Sequence, residues 1–324
     1  MGEKFINYEN SAFVTNMRGY IDVEVCGDFD RVLNSGKSLM MWNALNPVNS
    51  RVELWDAFGE RGLPRYAVER GALPDSIFID RHGMLCDSES YHEKYWNKPL
   101  EESQNNDIDK YLSNFTRSDH SLEFQESGRI DESDFRNRLN LDFGKELVFV
   151  PLQLAQDTVI KKWSGWTKSM QLFKENIAKL AQLKKDKIFL VKKHPIDMTN
   201  DVQETDNLKL VDNFHYKDCI QHSDKVVCIN SGVGMQAMMW EKPVILVGTS
   251  WYKIDGVNIG TNSFDDLVDK VGKSYNVDAE KMRRFVYFLR FKFYSDVKLY
   301  KRIESKHKNV TDGIGYEKVR IFKG

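Results

Sequence analysis

The chain has 324 residues, of which 41% are hydrophobic and 29% charged, and this ordinary globular usage excludes a wholly disordered protein. At about 100–200 residues per domain, the length predicts two domains or one large one. Lys and Arg (47) nearly balance Asp and Glu (48), and the net charge of −1 argues against a protein that coats nucleic acid, because such binding depends on neutralising phosphates.

Cysteine usage and the N-terminus indicate the compartment. The cysteines contain no C-x-x-C pair, so we expect core thiols and a reducing cytoplasm rather than a disulfide framework. Residues 1–10 are polar without the apolar core of a signal peptide, and no run approaches the roughly 18 apolar residues of a membrane span. We therefore expect a cytoplasmic protein, and attachment to the inner face of the cytoplasmic membrane stays open. The cysteines are Cys26, Cys86, Cys219 and Cys228, the last two in or beside apolar stretches.

The first half of the chain shows few clear elements. Its polar stretch, 93–142, predicts two surface helices that connect the halves. The other predicted elements are a buried strand or short helix at 38–45, a strand at 65–69, and a strand at 76–80 that continues through a turn at 81–83 into a hairpin partner at 84–86.

The second half alternates between apolar runs and helix-compatible stretches. The runs are continuous, as expected of strands buried on both faces. Strands that alternate with helices imply βαβ units and a parallel sheet, so we predict a Rossmann-like unit. The predicted strands are 146–152, 187–192, 208–211, 225–229 and 243–247, and the predicted helices are 164–183, 233–240, 263–271 and 278–300. The predicted domains are 1–145, 146–275 and a C-terminal segment, 276–324, that packs back on the first.

Basic residues follow the second predicted strand of this half. Lys192 and His194 stand in the sequence VKKHP, where Pro195 stops the strand. Ligands of open α/β sheets bind at the carboxyl ends of the strands, so these two side chains could bind a phosphate. The alternative is a strand end that is merely basic.

A small-residue turn follows the strand at 225–229 and opens the next helix. Ser231 and Gly232 lie in it, and free N–H groups at a helix N-terminus suit an anion such as a nucleotide phosphate. Ser231 can also cap the helix. The turn is neither a G-x-G-x-x-G fingerprint nor a Walker A loop, and glycines here also serve packing alone.

Carboxylates occur at two further strand ends. Asp157 follows the strand at 146–152, where the alternatives are a helix N-cap and a catalytic carboxylate. Glu69 and Arg70 stand at the end of the strand at 65–69, followed by Asp80 and Asp87. Such a Glu beside an Arg is either a structural ion pair or an acid and a cation presented to an anionic sugar.

Five short motifs, in this order, resemble those of the KpsC- and KpsS-type capsule polysaccharide synthesis proteins, which are β-Kdo transferases. The family has E-x-G-x-L/P, D-x-x-G, V-P-x-Q-x-x-x-D, K-x-H-P, and a small-residue turn before a helix ending G-K-x-V. In this chain the motifs read ERGALP, DRHG, VPLQLAQD, KKHP and INSGVGMQAMMWEKPV. The resemblance covers about residues 53–256.

The resemblance implies a GT-B-like α/β fold of two Rossmann-like half-domains with parallel sheets, the N-terminal one small or degenerate. It implies transfer of Kdo or a related sugar from a CMP-activated donor to a glycan or glycolipid acceptor in capsule-type polysaccharide synthesis. The CMP-sugar is a co-substrate, and neither a cofactor nor a metal is expected. The first predicted domain is then the acceptor side, and the second binds the nucleotide sugar.

The resemblance also assigns roles to individual residues. Asp157 matches the Asp of the third motif and is the predicted catalytic carboxylate, with Glu69 facing the sugar or the acceptor. Lys192, His194, Ser231, Gly232 and Gln236 are predicted to bind the donor nucleotide or its phosphate, and Arg70 and Gln153 the sugar or acceptor.

Two departures from the family keep alternatives open. Gln236 stands where the family often has Glu, and Arg70 replaces a common Asp. These changes leave room for another donor, such as a UDP-sugar or a CDP-glycerol type, or for a non-catalytic partner in capsule assembly. Asp157 could act as a general base, giving inversion, or as a nucleophile, giving retention, and the resemblance favours the nucleophile.

The C-terminal region is basic. From Glu280 to the end, the sequence contains 13 Lys and Arg but only 5 Asp and Glu. The aromatic and basic residues of the predicted helix at 278–300 indicate either a core helix with solvated cations or a peripheral contact with anionic lipid at the inner membrane.

Overall fold

The computed structural model describes residues 2–121, 125, 128–305 and 308–324, without the side chains of 299–313. The described chain forms two compact units. Unit 1 contains the described residues of 1–98, 287–302 and 310–324, and unit 2 contains those of 99–286 and 303–309. Unit 2 is therefore inserted into unit 1, whose last strands return after it.

Strands and helices alternate through most of both units. The strands are β1 Lys4–Tyr8, β2 Asp22–Cys26, β3 Ser38–Trp42, β4 Arg65–Arg70, β5 Ser76–Asp80, β6 Glu146–Pro151, β7 Lys187–Lys192, β8 Leu208–Leu210, β9 Lys225–Cys228, β10 Val244–Leu246, β11 Asn258–Gly260, β12 Ser295–Ser305 and β13 Lys308–Lys318. The α-helices are α1 Ala12–Thr15, α2 Phe29–Leu33, α3 Arg51–Glu60, α4 Glu93–Trp96, α5 Glu102–Arg117, α6 Glu132–Arg138, α7 Thr158–Trp163, α8 Met170–Leu183, α9 Tyr216–Gln221, α10 Gly232–Ala237, α11 Phe264–Val271 and α12 Ala279–Tyr287. Short 3₁₀ turns lie at Asn16–Gly19, Val48–Ser50, Leu85–Asp87, Glu89–Tyr91, Gly165–Thr167 and Met238–Trp240, and a π-helix at Phe288–Phe293.

The sheet of unit 2 is parallel throughout its described pairings. Its order is β11-β10-β9-β6-β7-β8, which is the strand order of a Rossmann fold. The strands are continuous apolar runs because helices cover both faces, and β7 is buried at every position. Helix α8 places Phe173, Ile177 and Leu180 on one stripe, three or four residues apart, against this sheet. The predicted Rossmann-like unit with a parallel sheet is confirmed.

The sheet of unit 1 is mixed. Among the described strands its order is β13-β12-β5-β4-β3-β1-β2, in which β2, β1, β3 and β4 are parallel. Strand β5 is antiparallel to β4 and to β12. The predicted α/β class holds in this unit too, since it contains a four-stranded parallel Rossmann-like part.

The domain boundaries of the structure differ from the predicted ones. The sequence placed residues 99–145 with the first domain, whereas the structure places them in unit 2. The reason is the packing of α5, whose Phe115 ring lies edge-to-face against Trp240. The carbonyl groups of Phe115 and of Ser118, the residue that caps the end of α5, accept from Lys217 Nζ. The segment 276–324 is likewise divided, because α12 belongs almost wholly to unit 2 and β12 pairs with β5.

Two local predictions were wrong. The hairpin partner of β5 is β4 and not 84–86. Ala67 pairs with Asp80 and Arg70 with Ile77, whereas the chain after β5 forms a 3₁₀ turn at Leu85–Asp87. The helix predicted at 278–300 ends earlier. It passes into the π-helix at Phe288, and Tyr294 then adopts extended backbone that leads into β12.

Aromatic side chains of the α12 and π-helix segment lie in the interior. Phe285 and Phe293 are fully buried, and Phe288 is 4% exposed. Arg283 pairs with Asp109 and Arg290 with Asp296. These contacts are those of a core helix with paired cations. Among the described residues, no helix combines the length and apolarity that a membrane span requires.

Candidate functional site

The carboxyl ends of β6 and β9 lie side by side in the middle of the unit 2 sheet. From β6 the chain proceeds to β7 on one side, whereas β9 leads to β10 on the other. This is the topological switch point of the sheet, where ligands of doubly wound folds bind. Gln153 and Asn230 follow directly on these two strands, and Gln153 Nε2 donates to Asn230 Oδ1 at 3.0 Å.

Asn230 connects the switch point to its surrounding loops. Its main-chain N–H donates to Gln153 Oε1 at 3.4 Å, so the two residues bond reciprocally. The two N–H groups of its side-chain Nδ2 are shared among three main-chain carbonyl groups, those of Val159 at 3.3 Å, Trp163 at 3.2 Å and Thr249 at 3.2 Å. Asn230 is 7% exposed, and so it fixes α7 and the loop after β10 around the strand ends.

Two glycines permit a close backbone approach beside this site. Gly165 has φ +64°, and a Cβ there would lie 2.9 Å from Gly248 Cα. A Cβ on Gly248 would lie 2.6 Å from the carbonyl oxygen of Trp163. The main chains after α7 and after β10 therefore touch, which no larger residue allows without displacement.

Asp157 is the N-cap residue of α7 by position, yet within the described chain its side chain makes no capping hydrogen bond. The residue is half-buried. Burial raises the pKa of its carboxyl, and the charges of His194 and Lys161 oppose this increase. Asp157 therefore stands at the N-cap position, but its carboxylate does not cap the helix. The carboxylate stays available for the alternative role, that of a catalytic group.

His194 approaches Asp157 from the neighbouring strand end. It lies just after β7, and its Nδ1 accepts from the main-chain N–H of Ile196 at 3.4 Å. That bond orients the ring. The structure therefore brings the predicted carboxylate and the predicted phosphate-binding histidine into one electrostatic environment at the edge of the sheet.

Lys192 has a different environment from the one predicted. Its side chain is buried, and Nζ donates to the main-chain carbonyl groups of Asp212 at 2.6 Å, Phe214 at 2.7 Å and Val211 at 3.4 Å. These three acceptors match the three donors of an ammonium group. The geometry gives Lys192 the role of holding the 211–214 turn against the end of β7.

Ser231 and Gly232 open α10, as predicted. Ser231 Oγ accepts from the main-chain N–H of Val233 at 3.2 Å, and its carbonyl oxygen accepts from the Tyr252 hydroxyl at 2.6 Å. Gly234 is required by packing, because a Cβ there would lie 2.5 Å from that hydroxyl. Gln236 lies in the interior at 3% exposure, and its Oε1 accepts from the Tyr216 hydroxyl at 2.7 Å.

Glu69 and Arg70 belong to unit 1, at the end of β4. Glu69 Oε1 accepts from the main-chain N–H of Arg70 at 2.8 Å. The Arg70 guanidinium lies over the ring of Phe13, 5.9 Å from its centroid. Nearby along the chain, Asp80 is fully buried and accepts from the hydroxyl groups of Ser88 and Ser90, which makes it a structural residue of this unit.

Sequence reasoning located the strand ends but missed several residues. Asn230 and Tyr252 were within or beside the predicted motifs. The signal for Asn230 was a polar group directly after a buried apolar run, whereas Tyr252 follows β10 only after several loop residues. The predicted core thiols Cys219 and Cys228 are fully buried, as expected. Among the described residues no cluster of His, Cys, Asp and Glu is placed to hold a metal ion.

The fold and the site define an α/β protein of two Rossmann-like units, the GT-B type that the sequence predicted. A family model described as capsule polysaccharide biosynthesis protein matches residues 54–266, about two thirds of the chain. The chain belongs to this family, which confirms the resemblance found in its motifs.

Individual relatives agree with this assignment. Protein FixF of Sinorhizobium fredii (strain NBRC 101917 / NGR234) is 25% identical over 241 residues, which are 72% of this chain and 55% of that protein. The chain thus spans little more than half the length of this relative. Two solved structures of Thermosulfurimonas dismutans KpsC have the same fold. The beta Kdo 2,4 transferase has a TM-score of 0.65 at 14% identity, over 91% of this chain and 93% of that one. The beta Kdo 2,7 transferase has a TM-score of 0.62 at 16% identity, over 91% and 92%.

Proposed function

We propose that the protein is a glycosyltransferase of capsule-type polysaccharide synthesis that transfers Kdo or a related sugar from a CMP-activated donor to a glycan or glycolipid acceptor. The family assignment and the KpsC-like fold support a transferase of surface polysaccharides. The donor, the acceptor and independence of metals are parts of the proposal.

The Asp157 carboxylate carries this proposal. A helix-start aspartate normally binds the N–H groups of its helix, but this one makes no such bond in the described chain. It is instead partly desolvated beside His194, at the edge where Rossmann sheets bind ligands. A carboxylate whose pKa is perturbed at such an edge is a candidate catalytic group.

The leaving nucleotide gains negative charge as the bond from the anomeric carbon to phosphate breaks. Positive charge that is already in place stabilises this change most effectively. We assign that role to His194, with Ser231 and Gly232 as further contacts of the nucleotide. In this proposal Lys192 does not contact the phosphate. It acts indirectly, by holding the 211–214 turn in place through its hydrogen bonds to the carbonyl groups there.

For Asp157 as a nucleophile the reaction has two steps. A carboxylate oxygen forms a bond to the anomeric carbon, and CMP leaves with the electron pair of the broken bond. The acceptor hydroxyl then attacks that carbon, the carboxylate leaves, and the hydroxyl proton passes to a general base. Two displacements retain the anomeric configuration, whereas a direct attack assisted by Asp157 as base inverts it.

Ligand-dependent thermal stability tests the donor. The chain is heated with CMP, CDP, UMP, UDP or GDP, each with a chelator present, since a ligand of the folded state raises Tm by mass action. Stabilisation by CMP supports the CMP-sugar donor. Stabilisation by UDP or CDP alone replaces it with a UDP-sugar or CDP-glycerol type, and no stabilisation by any of them favours a non-catalytic partner of capsule assembly.

Turnover tests the catalytic residue. CMP release from CMP-Kdo is followed with a candidate acceptor for the unchanged chain, Asp157→Ala and the control Asp186→Ala. Asp186 precedes β7 at the opposite edge of the same sheet. We expect Asp157→Ala to lose at least about 1,000-fold in rate while CMP still stabilises it, and Asp186→Ala to stay active. Full activity of Asp157→Ala refutes its assigned role.

A further inference from the structure

A groove of about 700 Å³ lies within unit 2, away from the proposed donor site. Two of its lining residues, Gln221 and Trp240, stand just before β9 and β10, at the edge where the strands of the parallel sheet begin. Asp157, His194 and Ser231 follow strands and therefore stand at the opposite edge. The groove has the volume of a small-molecule site, and the proposed reaction does not use it.

Hydrogen-bond donors line the groove that the described chain does not use. Arg117 is exposed in the last turn of α5, and its guanidinium has no acceptor among the described residues. Arg129 commits four of its five N–H groups, to Asp218, to Gln221 and to two main-chain carbonyl groups. The pairing with Asp218 balances the charge of Arg129, so Arg117 supplies the unbalanced positive charge. A guanidinium fork matches the two oxygens of a carboxylate.

Two carboxylates line the same groove and supply acceptors. Asp131 caps α6 through Oδ1, which accepts from the main-chain N–H of Asp134 at 2.8 Å, and its Oδ2 has no donor within the described chain. Glu241 has φ +54°, in the left-handed region that favours glycine, and the family motif G-K-x-V has glycine at this position. The two carboxylates repel a doubly charged phosphate, but they accept readily from hydroxyl groups. The polar lining therefore suits a ligand with many hydroxyl groups and a single weak anion.

Trp240 forms an aromatic wall of the groove. Its side chain is half-buried, and Phe115 packs against it edge-to-face, with ring centroids 5.6 Å apart. Met239, also in the lining, is buried beside it. An indole ring presents a flat apolar face, against which the C–H groups of a sugar ring can pack. An aromatic wall with a few convergent polar groups is typical of small-molecule sites.

We propose that this groove is a non-catalytic binding site for an acidic saccharide. The Arg117 guanidinium pairs with a sugar carboxylate, and the ring of Trp240 packs against the sugar ring. Asp131 and Glu241 accept from the sugar hydroxyl groups. The assignment rests on the proposed function, because a transferase of Kdo, itself a sugar acid, builds a glycan with such carboxylates. A glycan held at this edge of unit 2 stays bound to the enzyme between transfers.

Direct binding to the full chain tests the groove without relying on turnover. The probes are short oligosaccharides from acidic bacterial capsules, Kdo-containing ones included, each printed beside the same saccharide with its carboxyl groups reduced to alcohols. The pair with the best-bound acidic member is then titrated calorimetrically. The variants are Arg117→Ala, Trp240→Ala and Trp240→Phe. The control Arg138→Ala removes another exposed arginine from the last turn of a helix of unit 2.

We expect Arg117→Ala and Trp240→Ala to bind the acidic saccharide at least about tenfold more weakly than the unchanged chain, and Arg138→Ala to bind it equally well. Reduction of the carboxyl groups should weaken binding to the unchanged chain by a similar factor. Arg117→Ala should then cause no further loss, because the pair is already broken. Trp240→Phe should retain most of the affinity, since it keeps an aromatic face. Arg117 is exposed, so its variant should keep the Tm of the unchanged chain.

Equal binding by Arg117→Ala and the unchanged chain overturns the proposal, as does an unchanged chain that binds no acidic saccharide. Loss of CMP-dependent stabilisation in Arg117→Ala also overturns it, because the groove would then bind the nucleotide. The two proposals can fail independently. If saccharide binding fails while CMP release still depends on Asp157, only the groove assignment falls. If binding follows the expected pattern but no CMP is released, the groove stands and the transferase function falls.

Discussion

Gln153 and Asn230 join the two strand ends at the switch point of unit 2 by reciprocal hydrogen bonds, the shorter one 3.0 Å from Gln153 Nε2 to Asn230 Oδ1. Both side chains are buried, and Asn230 extends the connection to the carbonyl groups around it. The predicted sugar contact Gln153 is thereby held in a fixed orientation, and its position depends on a residue that motif comparison gave no role.

Replacing Asn230 should therefore destabilise the fold more than replacing Gln153. We expect Asn230→Ala to lower the free energy of unfolding by about 2–3 kcal/mol and Gln153→Ala by about 1 kcal/mol, because the first also removes the hydrogen bonds from Asn230 to the loops around it. Urea denaturation of both variants and the double variant should give a coupling of about 0.5–1.5 kcal/mol. The exposed Asn262→Ala serves as a control within about 0.5 kcal/mol of the unchanged chain. Additive effects would contradict the pair.

Lys192→Met distinguishes a structural from a phosphate-binding lysine. The substitution removes the donor for three main-chain carbonyl groups, so we expect a loss of about 1–3 kcal/mol in the free energy of unfolding. The variant should have a lower Tm than the unchanged chain, but a nucleotide that stabilises the unchanged chain should still raise the Tm of the variant. An unchanged fold that no longer responds to any nucleotide would restore the phosphate-binding role predicted from the sequence.

Asp157→Asn should show a pH-dependent gain in stability. Burial raises the folded-state pKa of this carboxyl above 3.8, so the ionised group destabilises the fold. Its stabilising contribution is complete below pH 3.8 and is lost as the pH rises through the folded-state pKa. The variant should therefore melt above the unchanged chain at pH 7, and the difference should shrink toward pH 4. A difference in Tm that is the same at both pH values would show that charge is not the cause.

Gly165→Ala and Gly62→Ala separate backbone strain from close contact. Both glycines have φ +64°, but a Cβ on Gly62 meets nothing within 4 Å, whereas one on Gly165 meets Gly248. We expect Gly62→Ala to cost about 1–2 kcal/mol and Gly165→Ala about 1–3 kcal/mol more, measured by urea denaturation. Equal costs would mean that the loop after β10 moves away freely.

Much of unit 2 could be predicted from the sequence because its strands are continuous apolar runs that end in polar residues. The same physical signal located Asp157, His194 and Ser231, since ligand-binding residues of such sheets follow the strands directly. Strand β11 escaped prediction because Asn258–Gly260 has a single apolar residue, Ile259, and therefore shows no apolar run.

Other features depend on contacts between distant parts of the chain. The partners of Lys192 lie about twenty residues away, in a turn whose carbonyl groups have no sequence signature. The end of α12 could not be located because Phe288–Phe293 keeps helical spacing while its backbone widens into a π-helix.

The insertion of unit 2 into unit 1 has a consequence for synthesis on the ribosome. Strand β5 emerges early but pairs on one side with β12, which is made only after more than two hundred further residues. Until then the edge of β5 that β12 will cover is unpaired, although every residue of β5 is buried in the finished fold, and an open strand edge is a surface to which foreign strands add. Unit 2 is continuous from 99 to 286 and can complete its sheet during that interval. The nascent chain therefore passes through a stage in which the proposed donor-binding half is finished while the other half still needs protection from aggregation.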